Sequence, residues 1–61
     1  MEKVKKILEE EGRKMTWLAK MVGVSRVSVS YWLNGRHLPS RKNLRRIADV
    51  MGLEVSDLFT E

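Results

Sequence analysis

The sequence predicts an all-α fold of five short helices, and three observations carry that reading. Apolar residues recur at i, i+3 and i+4 rather than at alternate positions. Four glycines and one proline divide the 61 residues into segments only long enough for compact elements. The one segment that also reads as a strand has no partner elsewhere, and a lone strand would leave its backbone unpaired.

Val4, Ile7 and Leu8 keep helical spacing among Lys and Glu, which are good helix formers, and Gly12 supplies the stop. Leu18, Ala19 and Val22 repeat that spacing up to Gly23. Ser25 then suits an N-cap for a helix carrying Val29, Trp32 and Leu33, closed by Gly35. Within it, Val27, Val29 and Tyr31 also alternate as a strand would, which makes this the most ambiguous segment. After Pro39, Ser40 suits the cap of a fourth helix with Leu44, Ile47, Ala48 and Met51 on one side. Arg41, Lys42, Arg45 and Arg46 fall on the other side, and Gly52 ends it. Val55, Leu58 and Phe59 predict a short fifth helix.

The chain is long enough for one domain, residues 1–61, with no internal repeat or linker. Hydrophobic residues make up 43% and charged residues 33%, a globular rather than a disordered balance. There is no cysteine, which excludes disulfides, zinc–thiolate sites and thiol catalysis. His37 is the single histidine, so neither a metal site nor a catalytic dyad is expected around it. A Ser-His-Asp arrangement fails as well, because the nearest acid, Asp49, lies beyond the basic segment. We therefore expect no enzyme, no cofactor, no metal and no small-molecule ligand. Apolar runs reach only three residues, as in Trp17–Ala19, and the N-terminus is charged. Neither a membrane span nor a signal peptide is expected, and the chain reads as cytoplasmic.

Charge is strongly segregated. The net charge is +4, yet residues 12–48 hold nine bases (Arg13, Lys14, Lys20, Arg26, Arg36, Arg41, Lys42, Arg45, Arg46) and no acid. The acids gather before and after that segment. Interspersed signs are the usual state of a merely solvated surface, so an acid-free basic stretch points to a polyanion.

Inside it, two helices at about residues 15–22 and 25–34 meet through Gly23-Val24-Ser25. That is the spacing of a DNA-binding helix-turn-helix, at about residues 15–34. Val24 would plug the gap between the helices. Ser25 would satisfy amide donors at the start of the second helix, whose positive dipole end also favours a nearby phosphate.

Leu18-Ala19, Val22-Gly23-Val24-Ser25-Arg26, Val29, Trp32 and Asn34-Gly35 together resemble the phage-repressor-like helix-turn-helix domains of the Cro and C1 type. The match continues through Pro39-Ser40, Leu44, Ile47-Ala48, Met51-Gly52 and Leu58, so it spans Val4 to Phe59. The resemblance implies a compact five-helix, lambda-repressor-like DNA-binding domain, acting as a homodimer on a near-palindromic operator.

Carried over position by position, base reading falls to Arg26, Val27 and Tyr31, with Ser28 and Ser30 nearby. The Arg26 fork fits guanine O6 and N7, or else it grips phosphate alone. Val27 offers no hydrogen bond and suits only a thymine methyl. Tyr31 either presents its ring and hydroxyl to the groove or packs as a half-buried residue. Phosphate contacts fall to Lys14, Lys20, Ser25, Asn34, Arg36, His37, Ser40 and Arg41. Arg45 and Arg46, further along, are expected as solvated, steering charges.

Three departures from the family pattern matter. Where relatives open the first motif helix with a Ser or Thr cap and a Gln, this chain has Lys14 and Met15. Either Lys14 grips the phosphate, or Thr16 caps a helix that starts later. Relatives often pair an Arg and a Glu at the positions of Leu8 and Leu33, and a buried ion pair is exchangeable for apolar packing at little cost. These two leucines should therefore meet. Trp17, at a position usually polar, should shield the core on the side of the first helix.

The reading is a sequence-specific double-stranded DNA-binding regulator, nucleoid-associated when bound. The alternative is a protein-interaction module, antitoxin-like or an adaptor, with only non-specific affinity for DNA. Val55, Leu58, Phe59 and Met51 could form an apolar patch for self-association or, Leu58 first, close the core of a monomer.

Overall fold

The computed structural model describes residues 1–59; Thr60 and Glu61, the end of the predicted domain, lie outside the described residues. Four α-helices run in chain order: α1 (Glu2–Glu10), α2 (Met15–Val22), α3 (Arg26–Leu33) and α4 (Arg41–Met51). No strand forms among the described residues, so Val27–Trp32 is helical. The fifth element differs in kind from the expected helix: Val55–Phe59 is a 3-10 helix, η1. Its length explains the tighter winding, since so short a segment closes more bonds by the i to i+3 pattern. The Asp57 carboxylate accepts the Glu54 N–H at 3.0 Å while the Asp57 N–H donates to the Glu54 carbonyl at 3.0 Å.

Each α-helix ends in the same way. A glycine with positive φ follows the last turn, and the residue after it donates its N–H to a carbonyl five positions back. These bonds are Arg13 to Leu8 (2.8 Å), Val24 to Ala19 (3.0 Å), Arg36 to Tyr31 (2.9 Å) and Leu53 to Ala48 (2.8 Å). The starts are less uniform. Ser25 and Ser40 accept the N–H groups of Ser28 and Asn43, each at 3.2 Å, as their positions predicted. Lys14 precedes α2 with an extended backbone and no side-chain cap. Thr16 is thus inside α2 rather than at its cap, and the helix starts at Met15.

The core joins Val4 and Leu8 of α1, Leu18, Ala19 and Val22 of α2, and Val29 and Trp32 of α3. Leu44, Ile47 and Ala48 of α4 complete it with Leu58 of η1. α2 packs against both α3 and α4, while η1 closes the far side between α1 and α4. An ion pair of 3.1 Å from Lys3 to Asp57 fastens that closure. Leu8 is buried and Leu33 half-buried, and both line one cleft between α1 and the end of α3. Neither is left in solvent, in keeping with apolar packing where relatives carry charges. Trp17 is half-buried against the core, and the Arg13 guanidinium lies over its ring, 4.1 Å from the centroid.

Arg46 departs from its expected role. It is not a free steering charge: its guanidinium donates to the Val22 carbonyl at the end of α2, 3.3 Å away. A cation there meets both an open carbonyl and the negative end of the α2 dipole, which explains its recruitment.

Candidate nucleic-acid interface

The turn between α2 and α3 fixes the angle at which α3 is presented. Gly23 sits at φ +87°, a backbone conformation that a side chain strains, and Val24 packs half-buried against the core behind it. The core then takes Val29 and Trp32, which leaves the opposite side of α3 outward. Arg26 and Val27 stand on its first turn in solvent, Val27 54% exposed, and Tyr31 follows one turn later at 40%. A single exposed valine is common on protein surfaces; what sets this one apart is its grouping with Met15 and Tyr31 in one cleft.

The other two predicted base readers are more occupied. Ser28 is half-buried, its hydroxyl 3.1 Å from that of Ser25. Ser30 is also half-buried and accepts a bond from the Asn34 side-chain amide at 3.3 Å. These bonds are local, and they tie the residues to the helix rather than leaving their hydroxyls outward.

The predicted phosphate residues lie on or beside α2, at the ends of α3, on the loop after it and at the start of α4. Lys14 and Lys20 are exposed at the start and on the outer side of α2, and Arg41 opens α4. In the loop between α3 and α4, Arg36 and His37 are exposed, and the His37 ring lies tilted 5.3 Å from that of Tyr31. Ser25 and Ser40 have their side-chain oxygens accepting N–H groups at the starts of α3 and α4. Among the described residues, none of Lys14, Lys20, Arg26, Arg36 or Arg41 forms an ion pair. None of these residues is itself acidic, and Glu9 of α1 lines one cleft together with Met15 and Asn34.

Two residues were missed by sequence reasoning. Met15 lies beside Arg26, Val27, Ser30 and Tyr31 and lines a shallow cleft with them. On its other side, Met15 and Arg26 share a second depression with Lys14 and Thr16. Its signal in the sequence was weak, since an unbranched apolar residue at the start of a helix reads as ordinary packing. The other is Leu38, 77% exposed beside the loop bases.

Two packed helices joined through a left-handed glycine, the second with an exposed outer side inside a basic segment, are the arrangement of a DNA-binding helix-turn-helix domain. The chain belongs to the helix-turn-helix family, whose model matches residues 4–58. It is similar to the ImmF control region 10 kDa protein of Bacillus phage phi105, with 44% identity over 50 residues. That alignment covers 82% of this chain and 56% of the relative, so the chain spans little more than half of the relative's length. No solved structure matches the chain. The family comprises DNA-binding regulators rather than enzymes, and this chain is of that non-enzymatic class. No helix among the described residues is long and apolar enough to cross a membrane.

Proposed function

We propose that residues 1–61 form one domain that binds double-stranded DNA sequence-specifically and acts as a transcriptional repressor or other regulator, reading the major groove with α3. The observation that carries this is the outer face of α3, where Arg26, in no ion pair among the described residues, and exposed Val27 and Tyr31 stand within a segment, residues 12–48, that holds nine bases and no acid. Arg26 donates to guanine O6 and N7, and Val27 meets a thymine methyl. Tyr31 borders the same groove, with Ser28 and Ser30 at its edge. Lys14, Lys20, Ser25, Asn34, Arg36, His37, Ser40 and Arg41 hold phosphates and set the register. Likeness to a phage control-region protein supports a regulatory role of the same kind.

The chain pairs as a homodimer on a near-palindromic operator, which places two α3 helices about 34 Å apart, one turn of DNA. Of the apolar candidates for the contact, Leu58 is buried in the core and Met51 is half-buried, leaving Phe59 and Val55 on the surface. They border a groove with Leu44, Arg41 and Arg45. The same groove is the one observation favouring the alternative, a protein-interaction module.

Selection from a random duplex library at two salt concentrations tests the reading. The expected result is an enriched palindromic motif whose binding falls steeply with salt, and a preference that Arg26→Ala relaxes at one position per half-site by about tenfold. A steep salt slope without a motif would reduce the protein to a non-specific binder. Absence of binding at low salt would transfer the reading to a protein partner.

A further inference from the structure

We infer that the cleft between the start of α2 and the outer face of α3 is a pocket for the 5-methyl group of a thymine, with Met15 as one of its walls. This rests on the DNA-binding reading above and specifies what that surface selects.

The walls are chemically unequal. Met15, Val27 and the Tyr31 ring supply apolar surface, while Arg26 and Ser30 complete the lining. Ser30 accepts from Asn34, which engages one polar group of the cleft, and the Tyr31 ring is flanked by that of His37. What faces outward is mostly hydrocarbon, half of Val27 included. The surrounding segment, residues 12–48, is free of acids, so the occupant lies within a polyanion.

Among base edges in the major groove, only thymine presents a hydrocarbon group; the others present donors and acceptors alone. An acceptor or donor placed against Met15 and Val27 would be desolvated without a partner, which penalises adenine, guanine and cytosine at that position. Apolar contact and this penalty act in the same direction. Arg26 borders both the cleft and the neighbouring depression with Lys14 and Thr16. It is therefore placed to donate to a guanine next to the selected thymine, while Lys14 faces the adjoining backbone. Met15 holds the boundary between the two and comes from the helix that does not itself enter the groove.

Uracil differs from thymine only by this methyl group, so it is the probe. Each thymine of the selected duplex is replaced singly by deoxyuridine, and affinity is measured by fluorescence anisotropy. One position per half-site should weaken binding by about fourfold, which corresponds to about 0.8 kcal/mol for a buried methyl-sized group. Cytosine at that position should bind poorly, and 5-methylcytosine should recover part of the loss. In Val27→Ser and Met15→Ala, thymine and uracil duplexes should bind alike. Val27→Ser changes an exposed residue and keeps the test valid if Met15→Ala perturbs folding. An enriched motif with no uracil-sensitive thymine would overturn the pocket and leave sequence-specific binding intact. A uracil effect undiminished in both variants would place methyl reading elsewhere and overturn it too. Failure of every duplex to bind would remove the DNA-binding reading beneath it.

Discussion

Arg46 and Lys20 carry the same charge on the same basic segment, yet the structure gives them different tasks. Arg46 donates to the last carbonyl of α2, so its removal should act on the fold. We expect Arg46→Ala to lower unfolding free energy by about 1 kcal/mol, less than a charged hydrogen bond usually contributes because the side chain is exposed. Its salt slope for DNA should stay within error of wild type. Lys20→Ala should do the reverse, leaving the urea midpoint in place and reducing the salt slope by about one. Denaturation and salt titration of both variants decide the matter, and a shallower slope in Arg46→Ala would return it to the steering role expected of it. The difference was not legible in the sequence. Both are bases at helical positions, and only the three-dimensional meeting of α4 with the end of α2 separates them.

The elements were more legible than the contacts, for a physical reason. Helix stops in this chain are written locally: a glycine, then a residue whose N–H reaches back five positions. Starts at Ser25 and Ser40 are local too, since each cap bonds a residue three positions on. The start of α2 was ambiguous because Lys14 cannot cap with an oxygen and Thr16 can. Here the backbone of Lys14 enters the helix without side-chain help. The type of η1 was hidden as well, because five residues carry too little periodicity to separate 3-10 from α winding. For function, the α2–α3 joint is the sensitive element. Gly23→Ala must hold a left-handed conformation at a cost of about 1–2 kcal/mol, although the added methyl meets no clash. Arg46 is the nearest neighbour there, 3.8 Å from the added Cβ, so strain rather than collision is expected. A thermal melt of Gly23→Ala beside wild type measures it, and an unchanged melting temperature would show that the turn tolerates a side chain.

At the scale of the molecule, the closure of η1 against α1 makes stability depend on acid. The Glu54 N–H and the Lys3 ammonium hold the Asp57 carboxyl below its ordinary value of 3.8. Because the folded value is the lower one, the unfolded chain binds the proton more readily. The stabilisation is complete above 3.8 and is lost as pH falls through the lowered value. Urea midpoints measured at successively lower pH should fall more steeply in wild type than in Asp57→Asn, which lacks this titration. Parallel curves would mean that the contact contributes nothing. The global charge layout, by contrast, was readable directly from the chain, since acids and bases are separated along it before folding separates them in space. Which basic residues share a face with Val27, and that Met15 joins them, required the packing of α2 on α3.

The Lys3–Asp57 bridge has a topological consequence. Residues 54 positions apart meet at 3.1 Å, so the path of the chain nearly closes into a ring. The start of α1 and the middle of η1 therefore lie side by side. Two copies joined head to tail need a tether that reaches from η1 of one to α1 of the next. In a tandem of that kind the second copy is present at an effective concentration set by tether length, not by dilution, and a weak bimolecular pairing becomes an intramolecular one.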